Sequence, residues 1–262
     1  GNSSKTSPSS LPEVAVVQVP EARKFPIEIY HVDDKSFPES FPEIAAHKRR
    51  YGFTDDLDKM LCYATANLAV HLLGKLDAMG ESSGSILCFL PGIEEIRSVE
   101  SEIKELMRKS RRRRPKICSL HSSLSSQTQA QVFEFGQKII LSTNIAETSV
   151  TIPDVKFVID GGRERQFSLL ESSNLDDPTT VGSQLTTVDI SRASARQRAG
   201  RAGRVSKGYC YRLYTRKQAE KQFDEYTKPE MLRVDLSQLV LHSLSVYNPT
   251  NGNSLSLIQN AP

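Results

Sequence analysis

The sequence predicts an α/β fold, a doubly wound and mainly parallel sheet with helices on both faces. Three observations carry this. Short apolar runs alternate with segments of helical periodicity along most of the chain. Several runs are apolar throughout, as in strands buried on both faces. Pro-Gly, Gly-Gly or Ser/Thr-rich stretches follow them, as expected where strands give way to loops.

The elements are read in order. "FPIEIYHV" (25–32) alternates apolar and polar residues and predicts a strand. Residues 33–56 are charged, contain Pro38 and Pro42, and read as a loop or insertion. "DKMLCYATANLAVHLLGKLDAM" (58–79) has helical spacing and is broken by "GESSG". "SILCFLPG" (85–92) is a strand closed by Pro-Gly, and "IEEIRSVESEIKELMRK" (93–109) a helix. "KICSLH" (116–121) is a strand, and "SSQTQAQVFEF" (125–135) a helix with Ser125 as N-cap. "KIILST" (138–143), "VKFVID" (155–160) and "YCYRLY" (209–214) complete the strands. No internal repeat is visible.

Composition limits the function classes. The 262 residues suffice for one large α/β domain and a piece of another. A net charge of only +3 excludes a polycation, so anion binding must come from local patches. The four cysteines are far apart without a CxxC pair, which argues against a zinc site, and no metal-ligating residues are singled out. Cysteines inside apolar runs suit an intracellular, reducing compartment. No run approaches the roughly 18 apolar residues of a membrane span, and no signal peptide opens the chain. The Ser/Pro-rich residues 1–12 read as a disordered tail.

In a doubly wound sheet, ligands bind outside the carboxyl ends of the strands. "LPG" (90–92), "HSS" (121–123), "TNIAET" (143–148) and "DGG" (160–162) should therefore share one edge. "STNIAETSVTIPD" (142–154) offers hydroxyl, amide and backbone N–H groups that suit phosphate oxygens, or simply a capped turn. His121 reads as a phosphate ligand or a turn cap. The run Arg111–Arg114 reads as a solvated loop at the amino edge.

"SRASARQRAGRAGR" (191–204) carries five arginines and is the strongest signal. Ser191 can cap a helix. On that helix Gln197, Arg201 and Arg204 would share one face. Gly200 and Gly203 would clear that face, or mark where the helix loosens. No carboxylate lies nearby in sequence, so the face suits a polyphosphate better than surface ion pairs.

Here the chain resembles a family. "QRAGRAGR" (197–204) resembles the sixth motif of superfamily 2 helicases in its DEAH/RHA RNA-helicase form. "STNIAETSVTIPDVKFVIDGG" (142–162) resembles the fifth motif and "ILCFLPGIEEI" (86–96) the fourth, with "LHSSL" (120–124) between them. The resemblance covers roughly residues 25–230. It implies a RecA-like second motor domain over 13–229, and the start of a truncated winged-helix domain over 230–262. A hairpin over 161–190 would part duplex strands, with its tip near Asn174–Thr180. Such motors hold ATP with Mg²⁺ between two RecA-like domains. The chain contains no GxxxxGK[ST] phosphate loop, so the first motor domain, which mainly holds the metal, is expected outside it.

The resemblance also implies roles. Gln197 would sit near the γ-phosphate and the attacking water, and Arg201 and Arg204 would be arginine fingers. Arg198 would be structural or interdomain. Phe133 would stack on the base, and Thr151, Asp154 and Gly200 would contribute to nucleotide binding, although Pro153 stands where the family often has an acid. Thr143 and Asn144, with Gly92, His121 and Ser122, would hold the RNA backbone. The expected function is the second motor domain of an ATP-dependent RNA helicase. The alternative is a catalytically silent RNA- or protein-binding module on the same fold, and a more distant one is an interaction role centred on 33–56. Expected partners are single-stranded RNA, the first RecA-like domain and protein cofactors. The expected state is a monomer away from any membrane, with a cytoplasmic location favoured over a nuclear one. The subfamily stays open, with the tudor-containing germline group among the candidates.

Overall fold

The computed structural model describes residues 25–37, 55–80, 84–110, 115–125, 129–169, 183–237 and 240–242. The expected tail, the insertion beyond Phe37, Arg111–Arg114, the hairpin tip and most of the expected winged-helix segment lie outside these residues.

The chain forms β1 (Ile27–His31), α1 (Asp55–Ala78), β2 (Ser85–Phe89), α2 (Ile93–Ser110), β3 (Lys116–Leu120), β4 (Lys138–Ser142), α3 (Ile145–Thr148) and β5 (Val155–Asp160). The antiparallel pair β6 (Arg163–Leu169) and β7 (Ser183–Asp189) follows, then α4 (Arg192–Ala199), β8 (Gly208–Arg212) and α5 (Arg216–Lys221). Six strands make one parallel sheet in the order β1-β8-β5-β2-β4-β3. In the segment read as a helix from Ser125, Gln129 and Ala130 are helical, with the Gln129 N–H donating to the Ser125 carbonyl at 3.1 Å, and a 3₁₀ turn follows at Gln131–Phe133. Residues 126–128 lie outside the description.

Strand alternation divides the core into two layers. Ile86, Cys88, Ile139, Leu141, Phe157, Ile159 and Tyr211 face α1 and α2. Those helices bring Leu61, Leu68, Leu72 and Leu76, and Ile96, Val99, Ile103 and Met107. Leu87, Phe89, Ile140, Val158 and Cys210 point to the opposite face, where Val132, Ala146, Ile152, Ala199 and Ala202 cover them. The first layer rests on two helices of 24 and 18 residues. The second rests on helices of four and eight residues rich in alanine, which bring polar motif residues close to the sheet.

All four cysteines are free and buried, and burial raises the Cys62 thiol to about 11 and the Cys210 thiol to about 12. Such thiols stay protonated and unreactive. No helix among the described residues is long and apolar enough to cross a membrane.

Candidate nucleotide and nucleic-acid interface

The arginine-rich segment begins as a capped helix. Ser191 has extended backbone and its Oγ accepts from the Ser194 N–H at 3.1 Å. The helix ends at Ala199, with Gly200 as its C-cap. Arg201 and Arg204 therefore follow α4 and do not share its face with Gln197, which corrects the sequence expectation. The reason lies at Gly203. Its φ of +75° is left-handed, and a Cβ there would come within 2.7 Å of Ile27 Cγ1. The glycines loosen the chain so that it can turn past β1.

The arginines are also less free than their sequence neighbourhood suggests, because carboxylates arrive from distant segments. Glu225 takes both Arg192 Nε and Arg196 Nη2 at 2.9 Å. Arg198 is 1% exposed and meets three acids: Glu147 of α3 at 3.0 Å, Asp160 at the end of β5 at 3.1 Å, and Glu164 of β6 at 3.3 Å. It also donates to the Arg163 carbonyl at 3.2 Å and lies 4.9 Å from the Phe89 ring centroid. Burial works against its charge, but the three carboxylates outweigh this and raise its pKa. Glu164 moves the other way. Burial raises its carboxyl despite Arg198, and Glu147 and Asp160 add to the rise. Ser194 Oγ donates to Glu147, and Tyr214 Oη and the Gly162 N–H donate to Asp160, so the network is hydrogen-bonded as well as paired.

Arg201 and Arg204 differ. Among the described residues neither has an ion pair. Arg201 Nη1 donates to the Val150 carbonyl at 3.2 Å, while its buried Nε has no acceptor among the described residues. Burial and the neighbouring Arg204 guanidinium lower its pKa. Two half-buried guanidiniums that repel each other form a surface that gains from an incoming anion.

The remaining sequence-selected residues divide between the two ends of the sheet. Gly92, His121, Ser122, Thr143 and Asn144 follow β2, β3 and β4, so they share the carboxyl edge as expected. Thr143 bridges β4 and β3, its N–H donating to the Leu120 carbonyl. Asn144 and Ser122 are exposed, and burial and Arg97 lower the pKa of His121. A Cβ on Gly92 would come within 2.7 Å of the Arg165 guanidinium, which pairs with Glu95 at 3.0 Å, so this glycine seats the hairpin on α2. Phe133, Asp154, Arg201 and Arg204 lie toward the amino edge, outside the reach of the carboxyl-end rule. Phe133 is exposed in the turn before β4. Thr151 is exposed next to Val150, whose carbonyl holds Arg201. Asp154 precedes β5, where its carboxylate pairs with Lys138 Nζ at 3.0 Å and accepts from Ser85 Oγ at 2.8 Å.

The hairpin pairs from Arg163↔Asp189 to Leu169↔Ser183. Its base joins the carboxyl edge through a polar cleft of about 310 Å³ lined by Asn144, Thr148, Glu164, Gln166, Phe167 and Arg233, among others. Sequence reasoning missed Glu147, Asp160 and Glu164 as partners of Arg198. One signal was legible, an aspartate closing the apolar run of β5.

A six-stranded parallel sheet with an antiparallel hairpin after its fifth segment, followed by this arginine helix, defines a helicase-type motor domain. Residues 66–206 match the helicase conserved C-terminal domain family, and the chain belongs to it, in its DEAH/RHA form within superfamily 2. The chain is 48% identical over 183 residues to "ATP-dependent RNA helicase dhx29" of Xenopus laevis, covering 67% of this chain and 13% of that protein. It is 37% identical over 245 residues to "Putative ATP-dependent RNA helicase ucp12" of Schizosaccharomyces pombe, covering 89% of this chain and 17% of that protein. The crystal structure of Escherichia coli DEAH/RHA helicase HrpB matches with a TM-score of 0.62 at 31% identity, over 89% of this chain and 25% of that one. The chain thus spans between an eighth and a quarter of these relatives.

Proposed function

We propose that the chain serves as the second motor domain of an ATP-dependent RNA helicase, completing the ATP site and gripping the single-stranded RNA backbone. One observation carries the reading. Of the five arginines in 191–204, only Arg201 and Arg204 lack a carboxylate among the described residues. They stand ready to neutralise phosphoryl charge, with Gln197 positioning the attacking water. The donor set fits a polyphosphate: two guanidiniums and an amide. In this reading Mg²⁺ is held mainly by the first motor domain, outside this chain. When bound, the metal would neutralise phosphate charge. Phe133 and Thr151 would contact base and ribose, while Asp154 holds the β5 approach through Lys138. At the carboxyl edge Thr143 and Asn144, with Gly92, His121 and Ser122, would hold RNA phosphates beside the hairpin.

The test is phosphate release. The 262-residue chain should hydrolyse no ATP above background with or without RNA, whereas the full-length protein should show RNA-stimulated turnover. Turnover by the chain itself that survives further purification overturns the division of labour. A full-length protein that binds RNA but releases no phosphate would favour a silent binding module.

A further inference from the structure

The hairpin sheet holds only β6 and β7, so the outer edge of β6 has no neighbouring strand. The Gly162 carbonyl accepts from the Ile190 N–H at 3.1 Å, and the Gln166 carbonyl accepts from Thr186 Oγ1 at 3.4 Å. Even-numbered residues of this segment thus turn their backbone groups toward β7. By strand alternation Arg163, Arg165 and Phe167 turn theirs to the outer edge. Two side chains reach that edge: Arg198 Nη1 donates to the Arg163 carbonyl at 3.2 Å, and Arg233 Nη1 to the Phe167 carbonyl at 3.0 Å. Between them the N–H and C=O of Arg165 have no partner among the described residues.

This edge, residues 164–167, forms one wall of the polar cleft of about 310 Å³ at the hairpin base. Phe167 is the one large apolar residue in the lining and is 49% exposed. Leu185, directly opposite it across the hairpin, is 52% exposed and widens the apolar patch. Asn144 lines the cleft too, and its carboxamide is not used to cap α3. With Glu147, Glu164 and Glu230 also in the lining, the interior suits an uncharged group better than a phosphate.

An open N–H and C=O on one extended residue present a donor beside an acceptor. Every nucleobase carries an adjacent donor and acceptor on its Watson–Crick edge. A peptide strand would need a longer run of open backbone, and Arg198 and Arg233 close the edge on either side of Arg165. We propose that the cleft is a nucleobase site, in which one base of the single strand stacks on Phe167 and pairs its edge with the backbone of Arg165. The site presupposes the RNA grip proposed above, because Asn144 lines the cleft and would hold a phosphate of the same strand. Stacking and one donor–acceptor pair are open to all four bases, so the contact grips a base with little preference among them.

The experiment is binding of single-stranded RNA by the full-length protein, with one abasic nucleotide moved along the strand. At one position the missing base should weaken binding by about tenfold. That penalty should vanish in Phe167→Ala and persist in Phe167→Tyr. Arg165→Pro removes the N–H on an outer edge, where proline is tolerated, and should shrink the same penalty. Arg165→Ala keeps the N–H and should leave it in place. Where Arg165→Pro does not fold, the two Phe167 variants decide. Abasic penalties that all persist in Phe167→Ala, with RNA still bound, overturn the nucleobase site alone. A full-length protein that binds no RNA overturns the grip as well.

Discussion

Arg198 and Arg201 are three residues apart in one short motif and have opposite surroundings. Arg198 is sealed from water and saturated by Glu147, Asp160 and Glu164. Arg201, with Arg204, has no carboxylate among the described residues and keeps a buried N–H without an acceptor. The difference follows from where the helix stops. Arg198 lies inside α4, on the side facing the sheet and the hairpin base. Arg201 and Arg204 lie beyond Gly200, where neither forms an ion pair among the described residues, although Glu147 still attracts Arg201. One motif thus divides its positive charge between holding the domain together and facing outward.

Breaking the buried half should have the largest effect on stability. Arg198→Ala leaves three carboxylates without their cation and should destabilise the chain by about 3–5 kcal/mol, read from urea unfolding. A loss below about 1 kcal/mol would put Arg198 on the same footing as exposed ion pairs. A smaller effect is expected at the opposite edge. Thr143→Ala in the full-length protein should weaken RNA binding by about 0.5–1.5 kcal/mol, evenly across sequences. A loss confined to one base sequence would show that this loop reads bases.

The smallest effect sharpens the network itself. Glu164 has a folded pKa above its unfolded value, so the folded state holds the proton more tightly. Stability from this group is therefore gained as pH falls through the folded pKa and lost as pH rises through it. Glu164→Gln should flatten that part of the stability–pH profile at little cost near neutral pH. A steeper profile in the variant would mean that Arg198 dominates Glu164.

Much of this was legible in sequence. Apolar runs such as "SILCF" and "KIILS" carry their burial on both faces in their composition, and both are strands of the parallel sheet. The hairpin was expected from the resemblance, and its arms pair antiparallel from Arg163↔Asp189 to Leu169↔Ser183. The pairing of the arginines was not. Glu225 lies 29 residues from Arg196 and Glu147 lies 51 from Arg198. Only the fold brings them together, so a local count of carboxylates misjudged three of the five guanidiniums. The placement of Arg201 and Arg204 was obscured for a different reason. Helical spacing puts them on one face with Gln197, but the left-handed Gly203 ends that logic. The resemblance implies a nucleotide contact for Asp154, yet Lys138 and Ser85 occupy its carboxylate once β2, β4 and β5 align.

The central claim is that the outward pair serves phosphoryl chemistry while the inward arginine serves the fold. The most direct measurement is the ATP hydrolysis rate of the full-length protein carrying Arg204→Ala, alongside its RNA affinity and thermal unfolding. An arginine finger is worth about 10³–10⁵ in rate, so kcat should fall toward that range while RNA affinity and unfolding temperature stay near wild type. A kcat within about twofold of wild type, less than 1 kcal/mol in barrier, would contradict the account and leave Arg204 a solvated surface arginine.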